Sequence, residues 1–244
     1  MSKVIAVASG KGGVGKTTVA INVAAALVGF GRVSVVVDCD LHAPNVGMHL
    51  GSPALPVMIN HVLAGEHSAE KAVYIHPSGV RVMPASITLT DCQSSRHDDI
   101  GIVVDAARSQ GDIILLDCPP GLGRELRSSI STADAVLAVT TPDLVAVADT
   151  LKTVHLAQSL GKEVLGAVVN KMGPHAELSL GNVASLLGIP VLCQIQQEAS
   201  VMESLKLRHP VVYSHPDSPA SVHFKELAAL VVGDRYICGL HQKE

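Results

Sequence analysis

The sequence predicts an α/β fold in which helices cover both faces of a mostly parallel β-sheet. Short runs rich in β-branched residues alternate with segments of helical length, and several of these runs are apolar throughout. Continuous apolar strands are typical of sheets that are buried on both faces. A single domain over residues 1–244 is expected, because the length suits one large unit and no linker or repeat interrupts the chain.

The predicted elements follow one another in strand–helix order. We expect strands at residues 4–9, 33–38, 80–83, 113–117, 135–140, 164–170 and 191–195. We expect helices at residues 17–30, 100–109, 144–160, 176–187, 201–207 and 220–232. Prolines and glycines interrupt residues 41–80, where loops and short helices are predicted. This alternation favours parallel strands joined by helical crossovers.

Composition argues against several classes of protein. Hydrophobic residues make up 48% of the chain, which is enough for a buried core and excludes a disordered, charge-driven scaffold. Three Tyr, two Phe and no Trp leave few aromatic platforms for stacking bases. The formal net charge is −4 and no basic run occurs, so the sequence carries no strong nucleic-acid signal.

Cysteine usage and the chain ends bear on location. Five cysteines without a CxxC or CxC spacing argue against a disulfide framework and against a self-contained zinc or iron–sulfur site. A reducing, cytoplasmic compartment is therefore expected, and the apolar N-terminal stretch is too short for a signal peptide. The C-terminal region has no excess of Lys and Arg on one face, so membrane attachment is not supported.

A phosphate-binding motif lies between the first predicted strand and helix. Its glycines let backbone N–H groups turn towards phosphate oxygens, at the positive end of the following helix. Lys16 is predicted to reach the β- and γ-phosphates, Thr17 to supply a hydroxyl to Mg²⁺, and Thr18 to reach the α-phosphate. The predicted nucleotide-binding residues of the loop are Gly10, Lys11, Gly12, Gly13, Val14, Gly15, Lys16, Thr17 and Thr18.

Three carboxylates stand at the ends of predicted strands. Asp38 and Asp40 close the second strand and, two residues apart, point to the same side of an extended chain. Asp117 follows four apolar residues, the pattern of a Walker B carboxylate that acts on Mg²⁺. All three are candidates for the metal and the reacting phosphate.

The loop sequence GKGGVGKTT at residues 10–18, with its additional Lys11, resembles the deviant phosphate loop of the MinD/ParA class of ATPases. The resemblance implies a three-layer P-loop NTPase sandwich, ATP and Mg²⁺ as cofactors, and an ATP-dependent, face-to-face homodimer. It implies that Lys11 reaches the partner subunit's nucleotide, that Asp38 supports the magnesium shell, and that Asp40 orients or deprotonates the attacking water. Lys11, Lys16 and Asp40 are thus the catalytic candidates.

The resemblance extends to the second half of the chain. It implies that Gly121 belongs to a switch that senses the γ-phosphate, and that Asp149 is the acidic partner of Lys11. Asn170 resembles the strand-end asparagine that recognises adenine. Glu198 lies in a segment that commonly contacts the base, although the proline usual in relatives is missing.

The implied function is slow ATP hydrolysis as a molecular switch in spatial regulation, such as placement of the division site, with an activator or cargo protein as partner. Two alternatives stay open, while a third, a role in DNA partition, is disfavoured by the composition. Residues 40–45 also resemble the switch of Mrp-like iron–sulfur cluster carriers, which keeps a role in metallocentre assembly, with Cys92 as the residue to test, although the later CxxC of those carriers is absent. The other alternative is an adaptor that recruits partners when nucleotide is bound, without turning it over.

Overall fold

A computed structural model describes residues 2–88, 90–91 and 100–233. The described residues form one eight-stranded sheet in the order β3-β4-β2-β5-β1-β6-β7-β8. Every neighbouring pair is parallel except β3 and β4, which are antiparallel. The strands are β1 (Lys3–Ala8), β2 (Ser34–Asp38), β3 (Tyr74–Ile75), β4 (Arg81–Met83), β5 (Ile113–Asp117), β6 (Ala135–Thr140), β7 (Glu163–Met172) and β8 (Val191–Gln196).

The helices of the described residues connect these strands and cover the sheet. A 3₁₀ turn at Ala69–Ala72 precedes β3. The α-helices are α1 (Lys16–Gly29), α2 (Val46–His49), α3 (Ile59–Leu63), α4 (Ile100–Arg108), α5 (Arg124–Thr132), α6 (Leu144–Ser159), α7 (Leu180–Leu187), α8 (Ala199–Leu207), α9 (Val211–Ser214) and α10 (Pro219–Val232). None of them is long and apolar enough to cross a membrane.

The core lies on both faces of the sheet, because neighbouring side chains of a strand point to opposite sides. Ile5 and Val7 of β1 pack with α1, α9 and α10 on one face. Val4 and Ala6 pack with α3, α4 and α5 on the other, where α6 and α7 extend the layer over β6 and β7. The predicted fold class, a three-layer sandwich around a mostly parallel sheet, is confirmed.

Several local features differ from the sequence prediction. The two-residue strand β3 and the helices α5 and α9 were not predicted from the hydrophobic pattern. The helix predicted from residue 176 begins at Leu180. Its start is set by Ser179, whose side chain accepts a hydrogen bond from the backbone N–H of Asn182 and caps the first turn.

Parallel strands bring the candidate residues to one edge of the sheet. The phosphate loop follows β1, Asp38 ends β2, Asp117 ends β5 and Asn170 lies near the end of β7. The carboxyl ends of these strands all point the same way, and this edge is where open α/β sheets bind ligands.

Candidate functional site

A cavity of about 480 Å³ opens at the carboxyl edge of the sheet. The phosphate loop and the first turn of α1 form its floor, and an apolar face of α8 forms one wall. Besides loop residues, its lining includes Asp40, Asp117, Asn170, Lys171, Gln197, Glu198, Val201, Met202 and Leu205. The arrangement offers cations and backbone groups to a polyanion and an apolar surface to a flat ring.

The phosphate loop depends on glycine where it curls. Gly13 and Gly15 have φ angles of +76° and +98°, in the left-handed region that other residues rarely adopt. A Cβ at Gly15 would collide with the Asn170 side chain, and one at Gly10 would collide with the Asp149 carbonyl oxygen. Lys16 is buried at the start of α1, with its Nζ 3.5 Å from the carbonyl oxygen of Lys11.

Thr17 and Asp117 meet at the base of the cavity. The Thr17 hydroxyl donates to Oδ2 of Asp117 at 2.6 Å, while Oδ1 of Asp117 is buried without a hydrogen-bond partner in the described structure. Burial raises the pKa of Asp117 to about 7, against the opposing effects of Thr17 and Lys16. A buried, unpartnered carboxylate oxygen beside a hydroxyl fits Mg²⁺, which prefers oxygen ligands and completes its shell with phosphates and water.

Asp38 lies behind this position and does not line the cavity. Its Oδ1 accepts from the backbone N–H of Asp40 at 3.2 Å, and its Oδ2 accepts from those of Asn45 and Val46, both at 3.0 Å. Burial, reinforced by Asp117, holds the pKa of Asp38 well above its usual range. In this structure the carboxylate anchors the loop after β2, and its support of a magnesium shell, implied by the resemblance, stays a prediction.

Asp40 sits on the loop that Asp38 anchors, and it does face the cavity. Its Oδ1 accepts from the backbone N–H of Ala43 at 2.9 Å, which fixes the side chain. In the same loop, Nε2 of His42 lies 2.8 Å from Oε1 of Glu125 in α5. Gly121 has a φ of +85° and donates its N–H to the carbonyl oxygen of Gly10 at 3.0 Å. The segments after β2 and β5 thus contact each other and the phosphate loop.

Lys11 lies on the other side of the loop, with an acidic partner that the sequence did not identify. Its Nζ is 3.0 Å from Oδ1 of Asp143, whose side chain also caps α6 through the N–H of Ala146. Asp149, the partner implied by resemblance, instead pairs with Lys152 at 3.0 Å. Asp143 comes just before the first residue of α6, where its side chain reaches Lys11, whereas Asp149 packs its backbone against Gly10 and its side chain accepts from Lys152.

Asn170 and Glu198 line the cavity, and the side chain of each forms a hydrogen bond with a backbone group of the protein. The Asn170 Nδ2 donates to the carbonyl oxygen of Val14 at 2.7 Å. The Glu198 carboxylate accepts from the N–H of Ala220, at the start of α10. The roles implied for these two residues at the base stay predictions. Lys171, which the sequence analysis missed, donates from Nζ to the carbonyl oxygen of Gly13 at 2.7 Å.

Comparison with known proteins agrees with this geometry. A ParA family model, described as NUBPL iron-transfer P-loop NTPase, matches residues 1–232. An uncharacterized ATP-binding protein of Methanocaldococcus jannaschii is 34% identical over 245 residues, covering 100% of this chain and 93% of the relative.

Two solved structures share the fold throughout. The cell division ATPase MinD of Pyrococcus furiosus has a TM-score of 0.91 at 30% identity, covering 96% of this chain and 99% of that one. The septum site-determining protein MinD of Pyrococcus horikoshii, complexed with Mg-ADP, has a TM-score of 0.90 at 28% identity, covering 95% and 96%. The family uses ATP and Mg²⁺. The chain therefore belongs to the MinD/ParA family of P-loop ATPases.

Proposed function

We propose that this protein is a Mg·ATP-dependent switch that hydrolyses ATP slowly and forms a face-to-face homodimer in the ATP state. The observation that carries the proposal is the position of Lys11. Its side chain does not line the nucleotide cavity but a neighbouring open cavity of about 570 Å³, together with Asp143 and Glu177. A phosphate-loop lysine that borders this neighbouring cavity, and not the nucleotide cavity, supports a role for Lys11 towards a second subunit.

The other residues of the site act within one subunit, in phosphate binding, water activation and Mg²⁺ binding. Backbone N–H groups of the loop and Lys16 hold the phosphates, and Asp40 orients the attacking water and accepts its proton. Thr17 and Asp117 hold Mg²⁺, which when bound neutralises charge on the phosphates. Hydrolysis is expected to be slow, since relatives of this class act with a partner protein that completes the switch.

The biological role we propose is spatial regulation, such as placement of the division site. Support comes from the likeness to MinD along nearly the whole chain. The activator or cargo protein would read the difference between the ATP and ADP states.

Lys11→Ala is expected to abolish ATP-dependent dimerisation while ATP still binds, because the lost ammonium serves the partner subunit. The solution molar mass would be measured with Mg·ATP and with Mg·ADP, in a hydrolysis-impaired Asp40→Asn background. Lys225→Ala is the matched control, since Lys225 is a half-buried lysine outside the loop that contacts the carbonyl oxygen of Pro216. A Lys11→Ala protein that dimerises like the control would show the cross-subunit role to be wrong.

A second candidate function is metallocentre assembly, which the iron-transfer description of the matching family model favours. Cys92 lies outside the described residues, and Cys39, Cys118 and Cys193 are buried. No group of three or more His, Cys, Asp or Glu among the described residues is arranged to hold a metal ion.

If the second candidate is correct, anaerobic reconstitution with iron and sulfide should load the protein, and Cys92→Ser should lose that iron. Iron content and the visible absorption spectrum would be compared for the wild type, Cys92→Ser and Cys193→Ser, a control at a buried cysteine. Wild-type protein that takes up no iron would remove this candidate and leave the ATP switch unaffected.

A further inference from the structure

The backbone at the end of β7 has an unusual conformation. Lys171 adopts φ +56°, and among the described residues Arg208 is the only other non-glycine with a positive φ. The register between β7 and β8 shifts between Val169 and Met172, around the same residue. Such bulges re-aim side chains at the end of a strand, and left-handed non-glycine residues persist where the surroundings hold them.

The shifted strand end aims two successive side chains at the phosphate loop. Nζ of Lys171 lies 2.7 Å from the carbonyl oxygen of Gly13, and Nδ2 of Asn170 lies 2.7 Å from that of Val14. Two neighbouring peptide carbonyls of the loop are thus held from one strand. Elsewhere in the loop, the carbonyl of Gly10 is held by the N–H of Gly121.

A held carbonyl also fixes the N–H of the following residue. In a trans peptide the C=O and N–H bonds point in opposite directions. When Lys171 holds the Gly13 carbonyl, the Val14 N–H must therefore turn away from Lys171, and Asn170 sets the Gly15 N–H in the same way. Inward-pointing N–H groups are what a phosphate-binding loop presents to its ligand.

We propose that Lys171 is a positioning residue for the phosphate-binding loop. Together with Asn170, it orients two consecutive peptide groups before nucleotide arrives, so that the loop is preorganised for phosphate. The exposed Lys171 ammonium donates to the Gly13 carbonyl oxygen, and the role we assign to it acts through the backbone of the loop. The affinity consequence rests on the proposed nucleotide-binding function, whereas the ordering of the loop does not.

The proposal is tested by Lys171→Met, which keeps much of the side chain and removes the donor, and by Lys171→Arg, which restores a donor. Backbone order parameters of residues 12–16 are measured by NMR relaxation without nucleotide, and Mg·ADP affinity is measured by titration. We expect Lys171→Met to lower the order parameters of Val14 and Gly15 from about 0.85 to below about 0.6 and to raise the Kd about tenfold. Lys171→Arg should recover most of both effects.

The control is Lys225→Met, because Lys225 makes a matched 2.7 Å contact with the Pro216 carbonyl oxygen away from the site. Unchanged order parameters of the loop in Lys171→Met would overturn the proposal, as would a Lys171→Arg protein that behaves like Lys171→Met. If wild-type protein binds no Mg·ADP, the proposed nucleotide function fails, while the comparison of order parameters still decides whether Lys171 orders the loop.

Discussion

Asp40→Asn is expected to lower the rate of ATP hydrolysis at least about a hundredfold, because a positioned general base contributes about 10²–10⁴-fold to such a step. Nucleotide binding should survive. Asp40 holds the Ala43 N–H with one oxygen, and the amide oxygen of Asn can accept the same hydrogen bond. Phosphate release and Mg·ATP affinity would be measured side by side.

The matched control is Asp105→Asn, since Asp105 is an exposed carboxylate of α4 remote from the cavity. We expect both variants to keep the wild-type Kd for Mg·ATP. Only Asp40→Asn should lose ATP hydrolysis. Unchanged phosphate release in that variant would refute the catalytic role and favour an adaptor that uses nucleotide without hydrolysing it.

Asp117→Asn is expected to have opposite effects on activity and on stability. Nucleotide binding should lose most of its dependence on Mg²⁺, and hydrolysis should fall at least as far as in Asp40→Asn, because the buried carboxylate is the metal-binding charge of the proposed site. The Mg²⁺ dependence would be measured by titrating the protein with nucleotide, once in the presence of Mg²⁺ and once in the presence of EDTA. The amide oxygen of the substituted side chain can still accept from Thr17, so the fold should be retained.

The nucleotide-free Asp117→Asn protein should be more stable than wild type above neutral pH. The pKa of Asp117 is raised from 3.8 to about 7, so the folded state keeps a proton that the unfolded state releases. Wild-type stability therefore falls as pH rises from about 4 to 7, and the substitution removes this cost. Denaturant unfolding at pH 5 and pH 8 would test it; no gain at pH 8 would contradict the burial argument.

The sheet was predictable because its strands carry their own signal. Residues 113–117 and 135–140 were placed without error, since each is apolar nearly throughout and bounded by polar or turn residues. β3 could not be found this way, because two residues are too few to show a period. The helix α5 was not predicted because only two of its nine residues are apolar. Its buried residues are Leu126, Ser129 and Ile130, one of which is a serine.

The positions of site residues were predictable where a motif fixes the backbone. The hydrogen-bond partners of side chains were not predictable where two or more partners lie within reach. Gly15, Lys16 and Thr17 lie where their motif places them. The choice of Lys11 between Asp143 and Asp149 depends on where α6 begins, and the contact of Asn170 with Val14 depends on the bulge at the end of β7. Both are tertiary facts with no local signature. The roles assigned to these residues remain predictions.

The central place of β1 in the sheet affects how the protein is made. Lys3 pairs with Ile113 on one side, and Ile5 pairs with Ala135 on the other. At a synthesis rate of about 5–20 residues per second, the first strand leaves the ribosome roughly 5–20 seconds before either neighbour. An apolar strand with two open edges is prone to wrong pairing during that interval. The first strand can therefore pair correctly only after about half of the chain has been made.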